Sequence, residues 1–406
     1  MQGLNILHLS PWFPYPLDTG SRTRVYHLLQ ALAIHHKVTL LTLDPQGWAP
    51  AQLDVVVPLC KHAVIIPRDP FQRSRLRMAT RFFSSSPVVT NPFPELLDLV
   101  ADLHAAKPFN AVIAGTVIMA PYALTLSGLT RMLEEHNSGT RWMAERYRAQ
   151  VAPLQRLRCW VSWRKARRYE SRLFPRFDLV SMVSEQDTAI SRALMAGDAP
   201  PVMVFPNGVD CTQLHPGLAE PQQDTLVFSG ALTYHANYEA MQFFLSKVYP
   251  RIRQARPGVK LRITGQADGV DLAGLHLDES VTFTGFVEDI RLEIAGAQIS
   301  VVPIKSGGGT RLKILEAMAL GTPVISTTKG AEGIEAVDGE HLLLADNPVE
   351  FANRVMQLLQ DADLRQRLAA NARLLVKEKY DWATITRQFV AAIEGAVDSR
   401  RARRAV

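Results

Sequence analysis

The sequence predicts an α/β protein of two doubly wound, parallel-sheet domains that face a cleft. Three observations lead there. Short runs of branched apolar residues alternate with helical patterns along the chain, the mark of parallel strands joined by helical crossovers. The 406 residues exceed what one core ordinarily serves, while 47% hydrophobic and 21% charged residues is a globular composition. Periodicity lapses over 212–223, TQLHPGLAEPQQ, before a second alternating series starts. The expected division is an N-terminal domain at 1–211, a linker at 212–223 and a C-terminal domain at 224–380. A last amphipathic helix at 381–398 is assigned to pack back on the first domain.

In the first domain, NILHLS (5–10) and KVTLLTL (37–43) are near-continuous apolar runs, as strands covered on both faces require. HAVIIP (62–67), NAVIAG (110–115), RMLEEH (131–136), LVSMVS (179–184) and VMVFPN (202–207) continue the series, with helices between them. Residues 139–176 read as one long or broken helical excursion, amphipathic and basic. In the second domain the strands are TLVFSG (225–230), KLRITG (260–265), VTFTG (281–285), ISVVPI (299–304), PVIST (323–327) and HLLLA (341–345). Helices are expected near 236–255, 288–296, 310–320 and 348–378, and the terminal RRARR reads as a solvated tail.

Composition excludes several classes. Cys60, Cys159 and Cys211 are dispersed and odd in number, against a disulfide framework or a zinc cluster and in keeping with a reducing cytoplasm. No secretion leader is expected before LNILHLS. The uncharged run 108–130 is long enough to span a bilayer, but Gly115, Pro121 and Tyr122 dilute it, so a buried strand followed by a helix is expected.

The net charge of +6 admits nucleic acid, an anionic membrane face or phosphorylated substrates as partners. Ten cations between Arg141 and Arg172 share the stretch 139–176 with Trp142, Trp160 and Trp163, and a second basic stretch occupies 71–83. Cations with interfacial aromatics suit anionic head groups at the inner face of the cytoplasmic membrane, a phosphorylated or acidic acceptor, or a solvated helix face. Nucleic acid is not expected, because no nucleic-acid module is present.

Ligands of open parallel sheets lie beyond the carboxyl ends of the strands, where 304–326 reads IKSGGGTRLKILEAMALGTPVIS. Gly307, Gly308 and Gly309 bring backbone amides near a ligand, and the helix expected from about Thr310 offers unpaired amides and the positive end of its dipole. Arg311 and Lys313 add full charges, so a diphosphate suits the place. Glu316 lies about 9 Å along that helix, at ~1.5 Å per residue, and leans back towards the phosphates, where a ribose diol would meet it. The alternative is a plain loop with Glu316 paired to Lys313. No Gly-Lys-Ser/Thr ends the loop and no Gly-x-Gly-x-x-Gly is present, against kinase and dinucleotide readings.

With FPYPLDTGSRTRVYHLLQAL, EEHN, VSEQD, FPNGVD, LVFSGALTYHANYEA and FTGFVEDI, that segment resembles the group 1 (family four) retaining glycosyltransferases, across nearly the whole chain and in the family's order. The resemblance implies the GT-B architecture of two Rossmann-like domains, with a nucleoside diphosphate sugar as co-substrate and no cofactor. It implies an acceptor that is a glycan, a lipid-linked group or a small molecule, in cell-surface polysaccharide or glycoconjugate biosynthesis. It further implies that Glu316 holds the ribose and that Arg311, Lys313 and the amides of Thr310 and Leu312 hold the diphosphate. The backbone around Phe286 would meet the base, His136 would face the sugar near its reacting carbon, and Gly20 would allow close approach to phosphate or acceptor. Gly230 and Gly309 complete the donor set.

Three departures stand out. Gly308 replaces a frequent Glu that touches the donor sugar, Gly230 is followed by ALTYHAN without the frequent cations, and Ser21 replaces a frequent glycine. Arg311 and Lys313 must then carry more of the phosphate charge. Such a transferase stabilises charge growing on the leaving phosphate and needs no protein nucleophile. Another GT-B reaction, such as nucleotide-sugar epimerisation, or a non-catalytic scaffold is the alternative. No metal is expected, since Asp361 and Asp363 in DADLRQRL read as a helix start. Glu135 or Asn137 could orient His136.

Overall fold

A computed structural model describes residues 3–45, 50–71, 87, 92–195, 197, 199–275, 277–307 and 309–405. The basic stretch 71–83 beyond Phe71, and Gly308, lie outside the described residues. The chain divides into two units, Met1–Pro206 with Thr386–Val406, and Asn207–Ile385. Residues 212–223 fall within the second.

Unit 1 is a seven-stranded sheet of β1 Asn5–Ser10, β2 Lys37–Leu43, β3 His62–Ile66, β4 Ala111–Gly115, β5 Thr130–Glu134, β6 Leu179–Met182 and β7 Val202–Val204. Its order is β3-β2-β1-β4-β5-β6-β7, with every pair parallel. Ile6 pairs with Val38 on one side and Ala111 on the other, so the winding reverses between β1 and β4. Seven runs of residues suited to burial on both faces become the seven strands.

The helices are α1 Gly20–His35, α2 Pro50–Val56, α3 Pro94–Ala106, α4 Thr116–Ala123, α5 Gly139–Ala149, α6 Pro153–Leu173 and α7 Glu185–Leu194. The run 108–130 is β4, fully buried, and the short α4; no described helix is long and apolar enough to cross a membrane. The basic excursion is two helices, since α5 stops at Ala149 and Pro153 starts α6, where a missing amide hydrogen does no harm. Tyr147 of α5 stacks on Trp163 of α6 with centroids 5.9 Å apart.

Unit 2 holds β8 Gln222–Ser229, β9 Lys260–Thr264, β10 Val281–Gly285, β11 Ala297–Val302, β12 Val324–Ser326 and β13 Leu343–Leu344. They form a parallel sheet in the order β10-β9-β8-β11-β12-β13, reversing between β8 and β11. Its helices are α8 His235–Phe243, α9 Tyr249–Ala255, α10 Ile290–Ala295, α11 Leu312–Leu320, α12 Pro348–Gln360 and α13 Ala362–Leu375. The stretch expected as one helix over 348–378 breaks at Asp361, whose Oδ1 accepts from the Leu364 amide at 2.8 Å and so caps α13.

α14 runs from Trp382 to Ala405. Within unit 1 its Phe389 meets Phe205 edge-on at 5.3 Å, and Arg400 bonds Asp178 at 2.8 Å. The terminal RRARR is therefore helix rather than tail, with Arg404 Nη1 donating to the Gly128 carbonyl at 2.9 Å. Two Rossmann-like domains with flanking helices result.

Candidate functional site

The winding reversal of unit 2 places two segments side by side, the chain leaving β8 and the chain leaving β11. Gly230 follows β8 with φ +139° and Gly265 follows β9 with φ +127°, values that favour glycine. A Cβ on Gly230 would stand 2.5 Å from Lys313 Nζ and 2.9 Å from Asn237 Nδ2; one on Gly265 would stand 2.6 Å from the Gly230 carbonyl carbon. Backbone thus closes on backbone, and the Lys313 ammonium lies directly against Gly230.

After β11, Arg311 takes the N-cap position, and α11 begins at Leu312 rather than Thr310. No side chain caps it and no acid occupies its first turn. The Thr310 hydroxyl is buried without a hydrogen-bond partner among the described residues. Uncapped amides, a positive dipole end, and the Arg311 guanidinium and Lys313 amine beside them suit an anion. Arg311 is buried and donates from Nη2 to the Ser306 carbonyl at 3.1 Å, while Gly307 packs against the same guanidinium.

Lys313 donates to Asn237 Oδ1 at 2.9 Å and rests over the Phe228 ring at 4.0 Å. Burial pushes its pKa down from 10.5 to about 7; Glu316 opposes the shift and Arg311 adds to it. Burial also raises the Glu316 carboxyl against the pull of Lys313. Desolvation outweighs mutual attraction for both groups. Glu316 makes no hydrogen bond or ion pair with any described residue, so the loop-and-ion-pair alternative lacks its pair. With α11 starting at Leu312, the carboxylate stands about 6 Å along the axis at ~1.5 Å per residue.

Unit 1 carries a second constellation beyond the carboxyl end of β5. His136 Nε2 is 3.0 Å from Glu134 Oε2 and Nδ1 is 3.2 Å from Ser21 Oγ, with Trp12 edge-on at 5.2 Å. Glu134 is fully buried, and its other oxygen receives Arg24 Nε at 2.5 Å. Burial favours the neutral acid, but Arg24 and His136 outweigh it and hold Glu134 well below the usual carboxylate range. An ionised Glu134 only accepts, so Nε2 carries hydrogen, and in the neutral imidazole Nδ1 accepts from the Ser21 hydroxyl. Arg24 also donates to the carbonyls of Phe205 and Pro206 at 2.7 and 3.0 Å.

Neither residue expected to orient the ring does so. Glu135, just past β5, is buried and raised well above the usual carboxylate range by burial and by Glu170 and Glu134, and Asn137 is exposed. Glu170 accepts from the Thr140 amide at the start of α5 at 3.0 Å, and burial pushes it up to about 7. His8 of β1 is buried and stays neutral, pushed by burial to about 4.

Of the expected donor residues, Gly230, Arg311, Lys313, Glu316, Thr310, Leu312 and Gly309 gather around the start of α11. Phe286 follows β10, two strands from the reversal, and is 84% exposed. His136 and Gly20, beside Ser21 at the start of α1, belong to unit 1. Glu134, Arg24 and Asn237 were not foreseen.

Residues 223–361 match the family of glycosyl transferases group 1. An uncharacterized 44.6 kDa protein in the cps region of Klebsiella pneumoniae is 22% identical over 93% of this chain and 96% of its own. A phosphatidyl-myo-inositol mannosyltransferase of Mycobacterium leprae is 29% identical over 48% of this chain and 54% of its own. Among solved structures, Anabaena HepE in complex with UDP-glucose superposes with a TM-score of 0.66 at 15% identity, over 97% of this chain and all of its own.

Proposed function

We propose that this chain, a group 1 glycosyltransferase with the two Rossmann-like domains of GT-B architecture, transfers a sugar with retention from a nucleoside diphosphate sugar to an acceptor hydroxyl. The observation that carries the reading is the anion site at the uncapped start of α11, with Arg311 and Lys313 beside it and an unpartnered carboxylate, Glu316, one turn further on. The diphosphate takes the amides and the two cations, and the ribose diol donates to Glu316. The bond between C1 and the diphosphate oxygen breaks as the acceptor oxygen bonds C1 on the same face. The acceptor proton passes to the leaving phosphate.

Charge on that phosphate is met by protein cations and a helix end, so no metal is assigned to the step. Unit 2 holds the donor with the base at the backbone around Phe286, and unit 1 takes the acceptor and carries His136, whose ring is held by Glu134 and Ser21. The mannosyltransferase relative, named for a phosphatidyl-myo-inositol substrate, supports a glycan or lipid-linked acceptor in cell-surface polysaccharide or glycoconjugate assembly. The HepE complex supports a UDP-sugar as the first donor to try. We place the enzyme in the cytoplasm, with the basic face at 139–176 towards an anionic membrane surface.

Calorimetry with UDP-, GDP-, ADP- and TDP-sugars tests the donor. One should bind, and Glu316→Ala should weaken it by about 1.5–3 kcal/mol, roughly 10- to 150-fold, as expected for hydrogen bonds to a charged group. Unchanged affinity in that variant, or no binding across the panel, overturns the assignment. Retention is tested by the anomeric configuration of the product.

A further inference from the structure

Unit 1 contains a cavity of about 480 Å³ lined by the end of α4 and the chain just beyond it, and by the last turns of α6. It lies away from His136. α4 starts at the carboxyl end of β4 and runs back along the sheet, and Arg176 on the cavity wall stands just before β6 begins at Leu179, whereas His136 lies past the far end of β5.

Arg168, Arg172 and Arg176 line the cavity at intervals of four, which stacks like charges along one stripe. Other arginines of the same helical pair have partners. Arg141 meets Glu145 and Asp187, and Arg146, Arg156 and Arg164 lie over Trp142, Tyr147 and Trp160. Arg168, Arg172 and Arg176 form no ion pair among the described residues. Asp178, two residues past Arg176, is held by Arg400 and accepts from the Arg131 amide. Apolar Pro121, Leu124 and Leu173 and Thr125, whose hydroxyl donates to the Tyr122 carbonyl at 2.7 Å, complete the lining.

We propose that this cavity binds a phosphate group, free or carried on an apolar body such as a lipid. Guanidinium forks match phosphate oxygens, and the apolar wall takes the carrier. This goes beyond the donor reading and does not depend on it.

The test compares Arg168→Ala/Arg172→Ala with Arg158→Ala/Arg167→Ala, which removes the same charge from exposed positions of α6 outside the cavity. All proteins carry Lys313→Met, so that the donor site contributes little. Inorganic pyrophosphate is titrated calorimetrically, and phosphatidylcholine vesicles with and without phosphatidate are sedimented with protein. The pocket variant should lose roughly tenfold or more in affinity while the control keeps it. Loss with pyrophosphate assigns a free anion; loss with phosphatidate vesicles alone assigns a lipid phosphate. Equal loss in both variants, or no binding of either probe, overturns the site and leaves a generally basic face.

Discussion

Arg24→Met tests the buried relay behind His136. Arg24 and Glu134 have fully buried side chains 2.5 Å apart, and methionine keeps most of the aliphatic volume while removing the cation. Removing one partner of a buried pair costs about 3–5 kcal/mol, because the other charge stays behind uncompensated. Arg24 and His136 now outweigh burial at Glu134. Without Arg24 burial dominates, and the folded-state pKa rises above its unfolded value. A group shifted that way loses stability as pH rises, so the deficit of the variant should be largest near pH 8 and shrink towards pH 5.

Hydrogen exchange of the β1 and β5 amides in urea reads unit 1 by itself, as a two-unit chain requires. Arg24→Met/Glu134→Leu, which removes both charges, should regain most of the lost stability. It should still turn over slowly, because nothing then holds His136 Nε2. A deficit below about 1 kcal/mol, one that ignores pH, or a fully active double variant would refute the relay.

Three further outcomes follow from unit 2 and the α5 cap. Lys313 has a folded-state pKa of about 7 against 10.5 ordinarily, so the unfolded chain holds a proton the folded one lacks, and unit 2 should gain stability as pH rises from about 7 to 10.5. Lys313→Met should flatten that rise in pH-dependent denaturation, and should abolish the uptake of close to one proton that calorimetry in buffers of different ionisation enthalpy should find when nucleotide binds at pH 8. Gly265→Ala forces a Cβ to 2.6 Å from the Gly230 backbone at φ +127°, and should cost at least roughly 1–3 kcal/mol in unit 2 and weaken nucleotide binding together; a neutral outcome in thermal melts would refute the close packing. Glu170, raised to about 7, favours folding while protonated and loses that contribution as pH climbs through 7, so Glu170→Gln should gain on the wild type between pH 5 and 8 in unfolding titrations.

Both sheets were legible because parallel strands covered on both faces appear as unbroken apolar runs, and all thirteen expected runs became strands. Boundaries slipped where local chemistry decided them. Asp361 capped a new helix inside 348–378, and extended φ/ψ at Arg311 delayed α11 by two residues. The charged start of α11 was conspicuous because glycines, cations and one acid interrupt an apolar stretch. Glu134 could have been found, since residues two apart in a strand share a face and RMLEEH places Glu134 under His136. Its partner Arg24 lies 110 positions away, and nothing local joins them. The arginines at 168, 172 and 176 recur at intervals of four, a spacing the sequence reading did not single out, and Pro121 and Leu124, which complete the cavity, come from the end of α4 and the residue after it, about fifty residues earlier.

The two units treat buried charge in opposite ways, and the contrast bears on function. In unit 1 the buried anion is saturated: Glu134 has Arg24 on one oxygen and His136 on the other, and burial cannot neutralise it. Such a group is finished in the folded chain and acts by fixing a neighbour. In unit 2, among the described residues, the hydrogen-bond partner of Lys313 is an amide oxygen, with an aromatic face beside it, and burial drives it towards neutrality against the pull of Glu316. Glu316 is likewise pushed towards its neutral form, with no hydrogen-bonded partner among the described residues. That arrangement is costly to an empty protein, and a ligand bearing a negative diphosphate and a donating diol relieves both groups together. Under the proposed function, part of the binding energy would be spent in charging Lys313, which would make affinity depend on pH near neutrality and tie the grip on phosphate to the charge that grows as the sugar departs.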